Sequence, residues 1–342
     1  MSIAASQNKG SIRVLLIYDN DPSWTPGERR EVDRECRRLG FAMRRQGHEV
    51  VIQPLTGHDL AEVLSNYQNQ DLLVFNWCES LPGIDHSEAT VVEILENLHF
   101  THTGASAESL RQSYDKVRTK QILEARGIPT PRWTILTSPP DSGWSVFPAI
   151  VKPAHEHCSL GVDSGAVVRD FEELRTRVAY VVKTFRQPAL VEDFIDGPEY
   201  HVPLWGNDPV EMLPPVEMDF SYFADPRKHI CSYDAKFDPR SVAYRKIKSH
   251  VPARLTRREM GRLEEAARGA YQACECRDYG RVDVRLRDNN FYVLDVNPNA
   301  DVSAEASLAL AASRAGYCYG AMGSRIVQLA SKRRLKKRSP RK

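Results

Sequence analysis

The sequence predicts an α/β protein with an N-terminal open parallel sheet, followed by a part of α+β character. In the first hundred residues, apolar runs of strand length alternate with helix-like stretches, an order typical of open parallel sheets. Beyond Gly104 this alternation ends, and strands, helices and turn-rich segments follow in mixed order. A chain of 342 residues is long enough for two or three domains.

The N-terminal elements are predicted from apolar runs and their end signals. Strands are predicted at residues 12–18, 49–53 and 71–76, and helices at residues 28–46, 60–67 and 88–98. Ligands of an open parallel sheet bind beyond the carboxyl ends of its strands, here residues 19–28 and 77–86. Because neither loop contains G-x-G-x-x-G, we expect no dinucleotide site.

The later elements carry clearer helix-start signals. Helices are predicted at residues 115–126, 170–185 and 256–276, with others after Ser303, and strands at residues 149–152, 165–168 and 189–194. Asp170 with Glu173, and Thr256 with Glu259, have the spacing of a capping box. Residues 221–250 are predicted to be a long irregular segment of the kind that forms a functional lid.

Composition and charge exclude several classes of protein. No stretch approaches the roughly 20 apolar residues of a membrane span, and the N-terminus lacks the apolar core of a signal peptide. Seven irregularly spaced cysteines imply neither a disulfide framework nor a zinc site. Residues 331–342 hold eight Lys or Arg and no acid, which predicts a disordered basic tail, with contact to nucleic acid or anionic lipid as the alternative. We expect a cytoplasmic protein with no membrane partner, whose body does not bind nucleic acid.

A predicted hairpin at residues 281–297 concentrates polar side chains. Apolar residues alternate with Arg and Asp, the period of a strand with two unlike faces, and an Asp-Asn-Asn turn separates the strands. If the strands pair so that Asp283 shares a face with Asp295 and Asn297, three oxygen ligands converge beside Arg281. Oxygen ligands suit Mg²⁺. The pattern also fits a surface hairpin with a solvated polar face.

The order of several motifs resembles the ATP-grasp superfamily, and most closely its D-alanine–D-alanine ligase branch. These motifs are YDK ending at Lys116, IVKP around Lys152, LVEDFIDGPEY at residues 190–200, YDAK ending at Lys236, and the RVD…LDVN hairpin. The resemblance implies a three-domain ATP-grasp fold. Its domains would be an N-terminal domain (1–105), a central subdomain (106–190) and a C-terminal subdomain (191–330), followed by the tail. It also implies a possible homodimer.

The resemblance implies ATP and Mg²⁺ or Mn²⁺ as cofactors. Lys116 and Lys152 would contact the ATP phosphates, Lys236 would join them when the lid closes, and Glu199 would bind the ribose hydroxyls. The hinge beside the adenine would consist of Glu192, Asp193, Phe194 and Ile195.

The hairpin residues match the metal ligands and the catalytic arginine of the family. Asp283, Asp295 and Asn297 would bind the metal, although Asp295 is one methylene shorter than the usual Glu. Arg281 would stabilise the acyl phosphate and the tetrahedral intermediate, with the lid lysine and Ser159 as further catalytic residues. A carboxylate would attack the γ-phosphate, and the nucleophile of a second amino-acid-like substrate would then displace phosphate to form an amide.

Departures from the family pattern lie where substrates are selected. The loop around Glu28, which stands for the family's substrate-reading glutamate, is longer and poorer in glycine. Cys158 and Phe237 replace a serine and a tyrosine that normally form a hydrogen-bonded lid latch, and the change to Phe is compatible with a hydroxy-acid acceptor. Asp301, assigned with Ser307 to the substrate site, would repel a carboxylate and attract an amine.

The sequence is also compatible with three alternatives to an amide-forming ligase. The first is a catalytically silent ATP-binding module, and the second is an ester-forming ligase. The third is a kinase that releases a phosphorylated product.

Overall fold

The computed structural model describes residues 11–338, with side chains through Arg334. These residues form two compact units. The first unit combines the residues up to Ala107 with those from Val302 onward, and the second unit is Glu108–Asp301.

The strands and helices follow in chain order. The strands are β1 (Arg13–Asp19), β2 (Glu49–Leu55), β3 (Leu73–Trp77), β4 (Trp133–Leu136), β5 (Ala149–Pro153), β6 (Val167–Val168), β7 (Ala189–Asp193), β8 (Glu199–Trp205), β9 (Glu211–Met212), β10 (Val216–Asp219), β11 (Lys248–His250), β12 (Tyr279–Arg287) and β13 (Asn290–Asn297). The helices are α1 (Pro26–Arg44), α2 (Leu60–Ser65), α3 (Glu88–Asn97), α4 (Ala107–Tyr114), α5 (Lys116–Ala125), α6 (Phe171–Phe185), α7 (Tyr233–Phe237), α8 (Val242–Lys246), α9 (Arg257–Ala273), α10 (Ser307–Arg314) and α11 (Tyr319–Arg338).

The first unit contains the predicted open parallel sheet, with strand order β2-β1-β3. Its central strand β1 is buried from Val14 onward, as its continuous apolar run predicts. Helix α11 packs closely on α1 at Gly320. A Cβ added there would lie 2.3 Å from the carbonyl oxygen of Ala42, so this close approach requires glycine.

Helix α11 also changes the predicted description of the C-terminus. The prediction of a disordered tail from residue 331 was wrong for residues 331–338, which are helical, while residues 339–342 lie outside the described part of the chain. The structure groups residues 302–330 with the N-terminal residues, whereas the sequence prediction placed them in the C-terminal subdomain. The rest of the three-domain division stays a prediction.

The second unit is built on two antiparallel sheets. The smaller sheet has the order β4-β7-β5-β6, and α6 packs against it. The larger sheet has the order β11-β10-β8-β12-β13, with β9 beside β8, and its apolar side packs against α9. The capping box predicted at the start of α9 is confirmed: the Thr256 side chain accepts from the Glu259 amide, and the Glu259 side chain accepts from the Thr256 amide.

The segment from residue 221 to residue 250, hereafter the lid, is more regular than predicted. It contains α7, α8 and strand β11, which extends the larger sheet by pairing with β10. Ser232 and Ser241 cap the two short helices through their hydroxyl groups. Helices of five residues leave little sequence signal, which is why pattern reading missed them. Among the described helices of the whole chain, none has the length and apolar character of a membrane span.

Candidate functional site

Strand register gathers polar side chains on one face of the larger sheet. Asp283 on β12 lies opposite Asp295 on β13 and opposite His201 on β8, as the hairpin prediction required of the two aspartates. The next pairs along the strands are Arg281 with Asn297 and Arg285 with Glu199. Side chains two residues apart on a strand share a face. The seven residues therefore form one surface, the polar sheet face: Glu199, His201, Arg281, Asp283, Arg285, Asp295 and Asn297.

Asp283 is held as a carboxylate by its neighbours. Arg281 donates to both of its oxygens, from Nε to Oδ1 at 2.6 Å and from Nη2 to Oδ2 at 2.8 Å. Asn297 Nδ2 donates to Oδ2 at 3.2 Å. Burial alone would raise the pKa of Asp283, but the positive charge of Arg281 holds it below its ordinary value. The site therefore retains its negative charge at neutral pH.

A buried network of charges extends from Asp295 into the smaller sheet. Lys152 Nζ lies 2.6 Å from Glu192 Oε2 and 3.8 Å from Asp295 Oδ2. Lys120 Nζ lies 2.5 Å from Glu192 Oε1 and donates to the Thr130 hydroxyl at 2.7 Å. Both Lys120 and Glu192 are about 1% exposed. Sequence reasoning missed Lys120, because its position within a helix four residues after Lys116 looks like an ordinary surface lysine.

The carboxylates and lysines of this network shift one another's pKa values. Burial alone would lower the pKa of Lys152, but Asp295 and Glu192 raise it above the ordinary lysine value. Burial alone would raise the pKa of Asp295, but Lys152 and Lys116 lower it below the ordinary aspartate value. Asp295 and Lys152 are therefore charged near neutrality, and Lys152 places positive charge beside the predicted metal ligands.

Lys116 lies at the start of α5, where the resemblance predicts a phosphate contact. Its Nζ donates to the carbonyl oxygen of Glu156, and its backbone amide donates to Ala154 at 3.2 Å. Burial lowers the pKa of Lys116, against the opposing effect of Asp295. An anion beside this ammonium would favour its charged form.

The predicted ribose-binding residue is already paired. Glu199 Oε2 accepts from Arg285 Nε at 2.9 Å, and Glu199 Oε1 lies 3.4 Å from His201 Nε2. Burial alone would raise the pKa of Glu199, but Arg285 and His201 lower it below the ordinary range. Arg285 also donates to the Ile195 carbonyl at 2.9 Å and lies over the Phe194 ring at 4.8 Å. The structure thus joins Glu199 to the predicted hinge through Arg285, a residue that the sequence did not single out.

The predicted hinge residues have separate environments. Phe194 and Ile195 are buried, and the Phe194 amide donates to the Pro148 carbonyl at 3.0 Å. Arg287 Nη1 donates to Asp193 Oδ1 at 3.0 Å, and Glu192 points into the lysine network. The side chains of Glu192 and Asp193 therefore have protein partners.

The loop between β5 and β6 connects to the lid. Cys158 and Ser159 have φ values of 54° and 62°, a conformation uncommon outside glycine and often found at functional sites. Ser159 Oγ donates to the Cys231 carbonyl at 2.7 Å. The half-buried Lys236 lies near enough to Asp283 to lower its pKa, a smaller effect than those of burial and Arg281. Phe237 is 52% exposed, and its ring contacts that of Tyr233.

The predicted substrate residues are dispersed between the two units. Glu28, in the first unit, completes a capping box: its Oε2 accepts from the Thr25 amide at 2.8 Å. Ser307 opens α10 in the first unit. Asp301 is the exposed last residue of the second unit, and its charge is one of the smaller effects that raise the pKa of Arg281 against its burial. A role in substrate binding for these three residues stays a prediction.

Comparison with known proteins identifies one matching family model and several similar sequences. The family model of the D-Ala D-Ala ligase C-terminus matches residues 122–328. The y4sG protein of Sinorhizobium fredii is 33% identical over 263 residues, which cover 76% of this chain and 75% of the relative. The D-alanine–D-alanine ligase of Desulforamulus reducens is 26% identical over 305 residues, with 84% and 90% coverage.

A solved structure extends the likeness to the whole fold. The D-alanine–D-alanine ligase from Bacillus anthracis, complexed with ATP, superposes with a TM-score of 0.74 at 22% identity, covering 96% of this chain and all of the neighbour. The predicted fold class is therefore confirmed, and the chain has the α/β ATP-grasp fold. Because the family model matches more than half of its length, the chain belongs to the D-alanine–D-alanine ligase family of ATP-dependent ligases.

Proposed function

We propose that this protein is an ATP-dependent carboxylate–amine ligase that joins two amino-acid-like substrates through an acyl phosphate. The observation that carries the proposal is the meeting of two sets of side chains. Arg281, Asp283 and Asn297 are hydrogen-bonded together on the polar sheet face, and Lys152 reaches Asp295 from the smaller sheet. Phosphoryl transfer requires this combination of metal-binding oxygens and phosphate-binding cations.

The donor set supports a magnesium ion as cofactor. Asp283, Asp295 and Asn297 offer only oxygen ligands, the type preferred by Mg²⁺. When bound, Mg²⁺ would neutralise phosphate charge. Lys116 and Lys152 would bind the phosphates of ATP, since an ammonium group is an effective point charge for phosphate. Glu199 and the hinge from Glu192 to Ile195 would hold the nucleoside.

The chain's own residues would then support both steps of the reaction. In the first step, the substrate carboxylate attacks the γ-phosphorus, the bond to ADP breaks, and an acyl phosphate forms. In the second step, the acceptor amine attacks the acyl carbon, loses a proton and releases phosphate. Arg281 would stabilise the negative charge that develops, while Ser159 would hold the loop between β5 and β6 against Cys231 and Lys236 would approach from the lid. The closed lid would protect the acyl phosphate from water.

The acceptor is proposed to differ from D-alanine. Asp301 carries a negative charge near the Arg281 end of the polar sheet face, where it would favour an amine and disfavour a carboxylate. An ester-forming ligase is the second candidate, because the exposed Phe237 ring contacts Tyr233 and offers no hydroxyl group to a lid latch.

The test is phosphate release from ATP in the presence of Mg²⁺, with D- and L-amino acids, dipeptides and hydroxy acids supplied singly and in pairs. We expect release to require a specific pair and to fall by more than about 100-fold in Asp295→Asn, which removes a metal-binding charge but keeps the side-chain shape. Asp141→Asn, at an exposed aspartate paired with Arg175, is the matched control and should retain full activity.

The products distinguish the alternatives. An amide or an ester in mass spectra identifies the acceptor class. Stable phosphorylated product from a single substrate would indicate a kinase, and ATP binding without turnover on any pair would favour the silent module. Absence of ATP binding by calorimetry would reject the proposal.

A further inference from the structure

Three potential metal ligands converge at one end of the polar sheet face. Glu199, His201 and Cys231 each present one ligand atom, and these atoms all lie within 4.8 Å of one another. Glu199 and His201 are buried, and Cys231 is half-buried. A carboxylate, an imidazole and a thiol form a mixed set of oxygen, nitrogen and sulfur donors.

The backbone holds each of these ligands in place. Glu199 and His201 are two residues apart on β8 and therefore share a face. Cys231 follows Ile230, which is buried in an apolar cluster. The segment is fixed by two further contacts: Arg285 donates to the carbonyl oxygen of His229, and the Ser159 hydroxyl donates to that of Cys231.

The hydrogen bonds of Glu199 favour a ligand role. Arg285 donates to Oε2, while Oε1 faces His201 Nε2 at 3.4 Å. In metal sites, ligating carboxylates are commonly oriented by a hydrogen bond to their second oxygen. The separation of 3.4 Å is close to that of two ligands on one tetrahedral ion, given bonds of about 2.0–2.2 Å.

We propose that Glu199, His201 and Cys231 bind a zinc-class transition-metal ion, which excludes the nucleoside from this end of the site. Zn²⁺ accepts cysteine, histidine and carboxylate ligands, and three protein ligands leave a fourth position for water. The thiol releases its proton to solvent when the metal binds. The metal site stands on the three ligands alone, whereas the exclusion of nucleoside rests on the proposed function, in which Glu199 holds the ribose.

This site differs chemically from the one formed by Asp283, Asp295 and Asn297. The latter offers only oxygen, which suits Mg²⁺, while nitrogen and sulfur donors favour Zn²⁺ or Co²⁺. His201 Nε2 lies 4.0 Å from Asp283 Oδ1, so the two sites are neighbours on one face. Because the two sites use different ligands, substitution of a ligand in one site should leave the ligands of the other site in place.

Absorption spectroscopy with Co²⁺ provides the test. A bond between cobalt and a thiolate gives an absorption band, the thiolate band, which is absent when cobalt is bound only by oxygen and nitrogen. The measurement uses the full chain with the exposed Cys158 and Cys318 both replaced by serine. We expect one equivalent of Co²⁺ to produce the thiolate band. Adding Cys231→Ser should abolish the band, and His201→Gln should weaken Co²⁺ binding by about 100-fold or more. Asp295→Asn is the matched control and should keep the band.

Two results would overturn the metal site: no thiolate band in the starting protein, or an undiminished band in Cys231→Ser. Circular dichroism and thermal unfolding establish that each variant is folded, and the two ligand variants test the site independently.

Adenosine, which lacks the chelating phosphates of ATP, tests whether the bound metal excludes the nucleoside. We expect Zn²⁺ at about ten times its Kd to raise the apparent Kd of adenosine about tenfold, with no effect in Cys231→Ser.

Simultaneous binding of adenosine and cobalt would reject the exclusion. A thiolate band in a protein that binds neither adenosine nor ATP would count against the proposed function while supporting the metal site.

Discussion

The polar sheet face and the lid hold their side chains in different ways. On the polar sheet face, Arg285 and Glu199 are 2% and 6% exposed, and they are paired across adjacent strands. In the lid, Tyr222 and Phe237 are more than half exposed. One region is therefore fixed by burial and charge pairing before any ligand binds, whereas the other presents much of its surface to solvent.

This difference separates two kinds of contribution. Residues of the polar sheet face and the buried charge network contribute to stability, because each buried charge depends on its partner, and in the proposed function they also bind ligands. In the proposed function, lid residues would contribute to a later step, the closure that excludes water, and their substitution should leave stability almost unchanged.

The largest expected effect is on stability, in the buried network. Glu192→Gln leaves Lys120 and Lys152 without their shared carboxylate, and should lower the free energy of unfolding by about 3–5 kcal/mol. Urea unfolding measures this change. Glu173→Gln, in the solvent-facing pair with Arg169, is the control and should have a much smaller effect. Equal losses in the two variants would remove the distinction between buried and exposed charge.

The next effect is on turnover, in the lid. Under the proposed function, Lys236→Ala should reduce ligation by about 10–100-fold, because it would remove a positive charge that approaches the reacting phosphate. The melting temperature should remain nearly unchanged, since the lysine is only half-buried. Lys246→Ala removes another lid lysine, which lies over the Tyr222 ring, and should keep near-normal turnover. A large stability loss in Lys236→Ala would show that the lid belongs to the same cooperative network.

A smaller effect concerns pH. The pKa of Glu199 is lowered in the folded state, so its contribution to stability is complete above the unfolded value of about 4.3 and is lost as pH falls through the folded value. Hydrogen bonds from Ser221 and His250 lower the pKa of Asp219, at the edge of the lid, to about 2. Its smaller contribution should be complete above about pH 3.9 and lost as pH falls toward 2.

Unfolding free energies of Glu199→Gln and Asp219→Asn, measured against the parent protein between about pH 6 and pH 3, test this prediction. Both differences should shrink on acidification, and the difference for Glu199 should be the larger. A difference for Glu199→Gln that does not vary with pH would contradict the assigned charge pairing.

The smallest effect is a coupling between Cys158 and Phe237. If serine and tyrosine at these positions form a lid latch, the double variant Cys158→Ser, Phe237→Tyr should lower the rate of ATP hydrolysis without acceptor more than the two single variants predict. The expected coupling is about 1 kcal/mol, the value of one ordinary hydrogen bond. If the effects of the two single variants on the hydrolysis rate add up to the effect of the double variant, no latch forms.

Several features of this protein follow from short stretches of sequence. The continuous apolar run of β1 predicts a buried parallel strand, and the Thr256–Glu259 spacing predicts the start of α9. The alternation in residues 281–297 predicts the hairpin that brings Asp283 opposite Asp295. These features depend on side-chain period and local hydrogen bonding, which neighbouring residues specify.

Other features depend on residues far apart in the chain, and only the tertiary structure decides them. Three separate elements must meet for Lys120 and Lys152 to share Glu192. No local sequence pattern distinguishes Lys120 from a solvent-exposed lysine. The register between β12 and β8 places Arg285 beside Glu199, to which it donates a hydrogen bond. Cys231 approaches His201 because the start of the lid is fixed against Phe194 and Ser159. Sequence specifies each element through local preferences, whereas burial and long-range pairing decide which charges become partners.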